Sequence, residues 1–272
     1  MPRPSLLLLL LLLPLSARAQ CERENKAFLP GETLTYDLYF QWHFVWVKAG
    51  AAHYSIRSTT YAGEPALRCD LLFEASKRLS RVFPMQDTLV SLATPHLQPL
   101  YFRKGATEGK HYTVDEVSYS YTPGNPAVRL HLQRLDRHGQ RHERHVVSTD
   151  CNYDMLAILN VARSFDTANY TPGQRICFPM ATGRRIEQQT LVYQGTKDWK
   201  ANDGITYRCL VFSLLDSDEP KKEKELLRFY VTDDANHLPV RIDFYLRFGT
   251  AKAYYAGGTG IRHPQTAIVK QK

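Results

Sequence analysis

The chain has 272 residues, 43% hydrophobic and 11% aromatic, which is enough apolar material for a substantial core and excludes disorder throughout. That length suits one large or two modest domains. The net charge of +8 arises from 35 basic and 27 acidic residues that are interspersed, so charge alone points to ordinary solubility, with at most a mild preference for anionic lipids or glycans.

Arg3, the apolar run Leu6 to Leu13 and Ala17-Arg18-Ala19 have the layout of a secretory signal ending in an A-x-A cleavage site. The run is shorter than the roughly 20 residues a membrane helix needs, and nothing later could span a membrane as a helix. Residues 1–19 are therefore expected to be a signal peptide and residues 20–272 a single β-rich domain, exported to the periplasm or secreted. Cys21 follows directly, as in lipid-anchored proteins, but Gln20 and Arg18 stand where such anchors carry a small residue and Leu. An anchor through Cys21 is thus the lesser alternative. Export also removes the usual target of a nucleic-acid-binding surface, so no nucleic-acid partner is expected.

From Pro30 to Gly50 the chain reads P-G-E-T-L-T-Y-D-L-Y-F-Q-W-H-F-V-W-V-K-A-G. A period of two puts Leu34, Tyr36, Leu38, Phe40, Trp42, Phe44 and Trp46 on one side, an aromatic wall of the kind a half-buried strand presents. A bend is expected within Gln41 to Lys48, before a second strand over Gly50 to Thr60. Further strands are expected over Ala66 to Ser76 and Gln86 to Ala93, with an irregular basic link from Lys77 to Met85. Two strands between Pro99 and Tyr121 meet around Gly105 to Gly109; Ala127 to Leu135 and Arg141 to Ser148 form a hairpin about Asp136-Arg137-His138-Gly139.

One helix is expected from about Tyr153 to Phe165, capped by Thr149 or Asp150, with Met155, Leu156, Leu159, Val161, Ala162 and Phe165 at helical spacing. A lone helix among strands commonly covers one mouth or face of a sheet. Strands resume at Gln174 to Pro179, Arg185 to Gly195, Ile205 to Leu215, Glu225 to Thr232, Pro239 to Phe248 and Thr250 to Tyr255. Asp216 to Lys224 reads as a solvated loop tip, and Gly257 onward as a short basic tail. The two halves flanking the helix could form pseudo-equivalent sheets.

No catalytic constellation stands out. There is no G-x-S-x-G elbow, phosphate-binding loop or dinucleotide fingerprint. His142-Glu143-Arg144-His145 is one residue short of H-E-x-x-H, and in a strand residues three apart point to opposite faces, so its two imidazoles diverge. His131, His138, His142, His145 and Cys151 gather near one hairpin, where a solvent-facing surface explains them as well as a metal does. The adjacent pairs Asp115-Glu116 and Asp233-Asp234 do not suggest an acid pair. No catalytic residue, metal or cofactor is therefore assigned. Of the five cysteines at least one is unpaired within the chain; Cys209 suits a buried free thiol, and Cys151 with Cys177 is the candidate disulfide.

The segments F-L-P-G-E-T-L-T-Y-D-L-Y-F (Phe28 to Phe40), K-A-G-A-A (Lys48 to Ala52), P-L-Y-F-R-K-G (Pro99 to Gly105) and D-A-N-H-L-P-V-R-I (Asp234 to Ile242) resemble the bacterial domain of unknown function 3108 over about Phe28 to Tyr255. The resemblance implies a Gram-negative envelope protein without known catalytic residues. It also implies a mainly β fold: a strongly curved antiparallel sheet or open barrel, similar to the lipoprotein localisation factors, which hold acyl chains on a concave apolar face. The expected function is a non-catalytic periplasmic protein binding a lipid, a lipid-linked envelope component or another hydrophobic ligand. Tyr36, Phe40, Trp42 and Trp46 would touch its apolar part, and Arg103, Lys104 and Lys110 an anionic group at the rim. The alternative is a structural or protein- or glycan-contacting module with a closed core.

Overall fold

The computed structural model describes residues 21–42, 45–76, 85–217, 223–246 and 249–270. Its strands are β1 (Thr33–Trp42), β2 (Val45–Tyr61), β3 (Glu64–Ala75), β4 (Met85–Ala93), β5 (Pro99–Glu108), β6 (His111–Tyr121), β7 (Val128–Leu135) and β8 (Arg141–Ser148), then β9 (Arg175–Ala181), β10 (Ile186–Lys200), β11 (Thr206–Asp216), β12 (Lys224–Thr232), β13 (Pro239–Leu246), β14 (Gly249–Thr259) and β15 (Ile268–Lys270). The helix α1 (Met155–Arg163) separates β8 from β9.

The two halves are not separate sheets. All strands belong to one antiparallel sheet ordered β8-β7-β6-β5-β4-β3-β2-β1-β14-β13-β12-β11-β10-β9, with β15 paired to β11. Two meanders are thus joined where β1 meets β14, from Thr33 opposite Thr259 to Gln41 opposite Thr250. The terminal strands β8 and β9 are not hydrogen-bonded to each other, so the sheet curves without closing. The turn after β9 nevertheless reaches the strands of the first meander. A side chain at Gly183 would collide with the Gln133 carbonyl at 2.3 Å and Asp115 Cα at 2.6 Å, so only glycine permits this approach.

The curve is filled by α1. Leu156, Ala157, Ile158, Asn160, Val161 and Arg163 are all buried, so the helix is enclosed on most sides instead of lying across a mouth as a lid. Its cap is Asp154, whose Oδ1 accepts from the backbone N–H groups of Leu156 and Ala157, both at 2.9 Å, displacing Thr149 and Asp150 from the role expected of them. Around the helix pack Leu34 and Tyr36 of β1, Tyr54 and Ile56 of β2, Leu67 and Cys69 of β3, Leu89 of β4, and Phe102, Val117 and Leu132 beyond, in a single apolar core.

Polar contacts tie the helix to both meanders. Tyr54 donates its hydroxyl to Asn160 Oδ1, and Asn160 Nδ2 donates to Cys69 Sγ at 2.9 Å. Ser91 Oγ donates to Asp154 Oδ2 at 3.0 Å. Arg163 forms a two-pronged pair with Glu32 at 2.5 and 2.9 Å and also donates to the Asn236 carbonyl, with both ionic side chains almost wholly buried. The disulfide joins Cys21 to Cys151, not Cys151 to Cys177; Cys177 is an exposed thiol, while Cys69 and Cys209 are buried thiols. The bridge clamps the segment before β1 onto the entry to α1 and uses the Cys21 sulfur that a thioether-linked lipid would need. The tail is also packed in: Ala267 is buried, β15 adds to β11, and Asn236 Nδ2 donates to the His263 carbonyl at 3.1 Å.

Candidate functional site

Strand register defines two faces of the sheet near its first meander. One cross-strand row on the concave side runs Leu34, Tyr54, Leu71, Leu89, Lys104, Asp115, Arg134, His142, each directly opposite the next. The row is apolar over β1 to β4 and charged from β5 to β8. The row nearer the helix, Ile56, Cys69, Ser91, Phe102, Val117, Leu132, stays uncharged until Arg144 at the edge.

The charged end opens into a cavity of about 910 Å³, bounded by β5 to β8 and by Gly183 and Arg184 of the β9–β10 turn. Arg134 donates to both Asp115 oxygens at 3.0 and 3.3 Å. Asp136 is held down at about 2 by its bond to His142, 3.0 Å away, and by the backbone N–H groups of Gln140 and His138. Lys104, Arg144 and Arg184 also line the cavity and make no ion pair with a described residue. The cavity therefore presents unmatched positive charge to whatever enters it.

The apolar end is tighter. A pocket of about 50 Å³ lies between Leu159 and Arg163 of α1 and the inward residues Leu34, Tyr36, Phe73, Ile242 and Phe244. Beyond the helix the same inward face continues through Phe40, which opposes Val47 and Ala251, and through Phe244 to Leu246. There the covering ends, leaving Val47 42% and Leu246 52% exposed.

These positions sort the expected ligand contacts. Tyr36 and Phe40 face inward, Tyr36 buried and Phe40 half-buried. The side chain of Trp42 and all of Phe44 lie outside the described residues. Trp46 is not on their face, because the chain reverses between Trp42 and Val45 and so places Trp46 opposite Gln41 and Val47 opposite Phe40. Trp46 stacks on Tyr39 on the convex side, ring centroids 5.6 Å apart, with Lys252 5.3 Å from its ring. That side carries an aromatic ladder in which Tyr39 meets Tyr254, Tyr254 meets Trp199, and Arg241 lies 4.0 Å over Trp199.

The expected basic trio also divides. Lys104 lines the charged cavity, whereas Arg103 points to the convex side, donating to the Tyr112 hydroxyl at 2.9 Å and pairing with Glu116 at 3.4 Å. Lys110 is exposed in the β5–β6 turn. Sequence reasoning missed Arg134, Arg144 and Arg184, although the alternation in V-R-L-H-L-Q-R-L already put Arg134 on the face of Leu130 and Leu132. Burial pushes the Cys69 and Cys209 thiols up to about 12, so both remain protonated and poorly nucleophilic. Among the described residues no helix is long and apolar enough to cross a membrane.

One solved structure shares this architecture. A β-barrel-like protein of the domain of unknown function DUF1849 from Brucella abortus superposes with a TM-score of 0.52 at 7% identity, covering 88% of this chain and 100% of that one. A candidate exported protein with YmcC-like fold from Bacteroides fragilis gives a TM-score of 0.34 at 9% identity, with 88% and 100% covered. A candidate lipoprotein from Parabacteroides distasonis gives 0.34 at 10% identity, again with 88% and 100% covered. No curated protein matches the sequence. The model of a protein family of unknown function, DUF3108, matches residues 35–255, which is most of the curved sheet, and the chain belongs to that family.

Proposed function

We propose that this protein is an exported, non-catalytic binding protein of the cell envelope that holds an amphiphilic ligand across its concave face. The observation carrying this reading is the row from Leu34 to His142, which passes from apolar to charged along one face of the sheet. A lipid-like chain would lie against Phe40, Val47, Phe73, Phe244 and Leu246, and its anionic group would meet Lys104, Arg144 and Arg184. Export is supported by the leader-like residues 1–19 and by the Cys21–Cys151 disulfide, which persists in an oxidising compartment.

Native mass spectrometry after mild extraction tests the reading. Co-purified lipid, lost from the double variant Lys104→Glu, Arg184→Glu, is the expected result. A protein that is repeatedly empty and takes up no lipid from anionic vesicles overturns it. One observation favours a second reading, an interaction module without a small ligand: α1 fills the curve, and the apolar pocket of about 50 Å³ is far below the few hundred Å³ of ordinary ligand sites. An empty protein that retains a protein partner would be its signature.

A further inference from the structure

The convex side of the β7–β8 hairpin places three potential metal ligands together. His131 of β7 and His145 of β8 are direct cross-strand partners, and their imidazole rings stack with centroids 4.3 Å apart and planes 9° from parallel. Glu143, two residues along β8, shares this face: its Oε2 lies 3.3 Å from His131 Nε2, and its Oε1 accepts from Gln133 Nε2 at 3.3 Å. One ligand atom from each of His131, Glu143 and His145 lies within 4.8 Å of the others. The opposite face of the hairpin belongs to the cavity, where His142 is engaged by Asp136. The motif-like run His142 to His145 therefore divides as its strand spacing requires, and the ligand set forms across the hairpin instead of along it.

We infer that His131, Glu143 and His145 form a binding site for one divalent transition-metal ion of the zinc class. Two imidazole nitrogens and one carboxylate oxygen are donors suited to such an ion, and three protein ligands leave a position open to solvent. Bonds of about 2.0–2.2 Å in tetrahedral geometry place ligand atoms roughly 3.3 Å apart, so the most separated of these atoms must draw in by up to about 1.5 Å. The exposed Glu143 and His145 side chains are free of packing that would prevent it. Gln133 supplies the outer hydrogen bond that orients a ligating carboxylate. Because β8 is an edge strand of the open sheet, the vacant coordination position lies at an accessible border of the molecule.

Calorimetric titration of the tag-free protein with Zn²⁺ provides the test. One ion per chain should bind, and His131→Ala and His145→Ala should each weaken binding about tenfold or more, with Glu143→Gln also weaker. His142→Ala and His138→Ala should leave it unchanged, and the exposed position of the hairpin lets circular dichroism verify that all variants fold. With Cu²⁺ as a second probe, electron paramagnetic resonance should report two imidazole nitrogens, falling to one in His131→Ala. The inference is overturned if Zn²⁺ does not bind, if His131→Ala binds as well as the parent, or if His138→Ala and His142→Ala lose as much as the site variants do.

Discussion

Two ion pairs on the concave side use the same chemistry for opposite ends. Arg163 and Glu32, with side chains 2% and 0% exposed, join the helix to the chain entering β1. Arg134 and Asp115, 22% and 20% exposed, stand in the charged cavity with unmatched cations around them. The first pair has no water to fall back on, so its geometry must be met for the chain to fold. Water can partly replace either member of the second, which leaves that region free to exchange partners.

The largest effect that would sharpen this contrast is expected from Arg163→Ala, which strands the Glu32 carboxylate and should cost about 3–5 kcal/mol in urea unfolding. A loss below about 1 kcal/mol would break the comparison, because it would mean that the buried pair is readily hydrated. Opening the Cys21–Cys151 bridge by Cys21→Ser comes next, with a loss of about 2–5 kcal/mol expected for a closed loop spanning 130 residues of sequence.

Asp154 gives a pH-dependent measure of the same buried region. Burial raises its carboxyl to about 6 from an ordinary 3.8, against the opposing bonds from Ala157 and Ser91. The folded chain thus binds this proton more tightly than the unfolded chain does. The favourable contribution is greatest below about pH 4, falls as pH rises towards 6, and is absent above that. Asp154→Asn keeps a capping oxygen but cannot ionise. It should exceed the parent in stability by on the order of 2–3 kcal/mol at pH 7 and lose that advantage near pH 4. A pH-independent difference in denaturation midpoint would show that the carboxyl is not proton-linked to folding. The smallest expected effect is that of Arg134→Ala, at most about 1 kcal/mol in stability, because the pair is partly hydrated. Its affinity for anionic vesicles should fall with little change in melting.

Much of the architecture was legible because alternation and turn residues are local signals. Most strands lie close to their expected places, although β2 starts at Val45 inside the expected bend and β10 and β14 run on to Lys200 and Thr259; Leu34, Tyr36 and Phe40 share a face as a period of two requires. Trp46 departs from that pattern because the chain reverses inside the aromatic run, and a reversal without Gly or Pro leaves no mark on the alternation. The helix boundaries were read closely, but Asp154 became the cap in place of Asp150 because it also meets Ser91 on β4, a partner 63 residues away. The disulfide escaped for a similar reason: Cys21 reaches Cys151 only once the segment before β1 has folded back on the helix. The cavity and the ligand trio needed register across the sheet. For His131 and His145 that register follows from the turn at Asp136 to Gly139, so their meeting was within reach of the sequence, whereas the approach of Arg184 was not.

The pairing of β1 with β14 has a consequence for how the chain is made. Thr33 and Thr259 share a hydroxyl hydrogen bond across 226 positions of sequence. β1 therefore waits for the much later synthesis of β14 before both its edges are occupied. Until then the eight-strand meander ends in an unfinished border of free N–H and C=O groups beside Leu34 and Tyr36, a template on which another chain could dock. Misassembly during synthesis is thus expected to involve what becomes the middle of the finished sheet, a border that the final structure no longer shows.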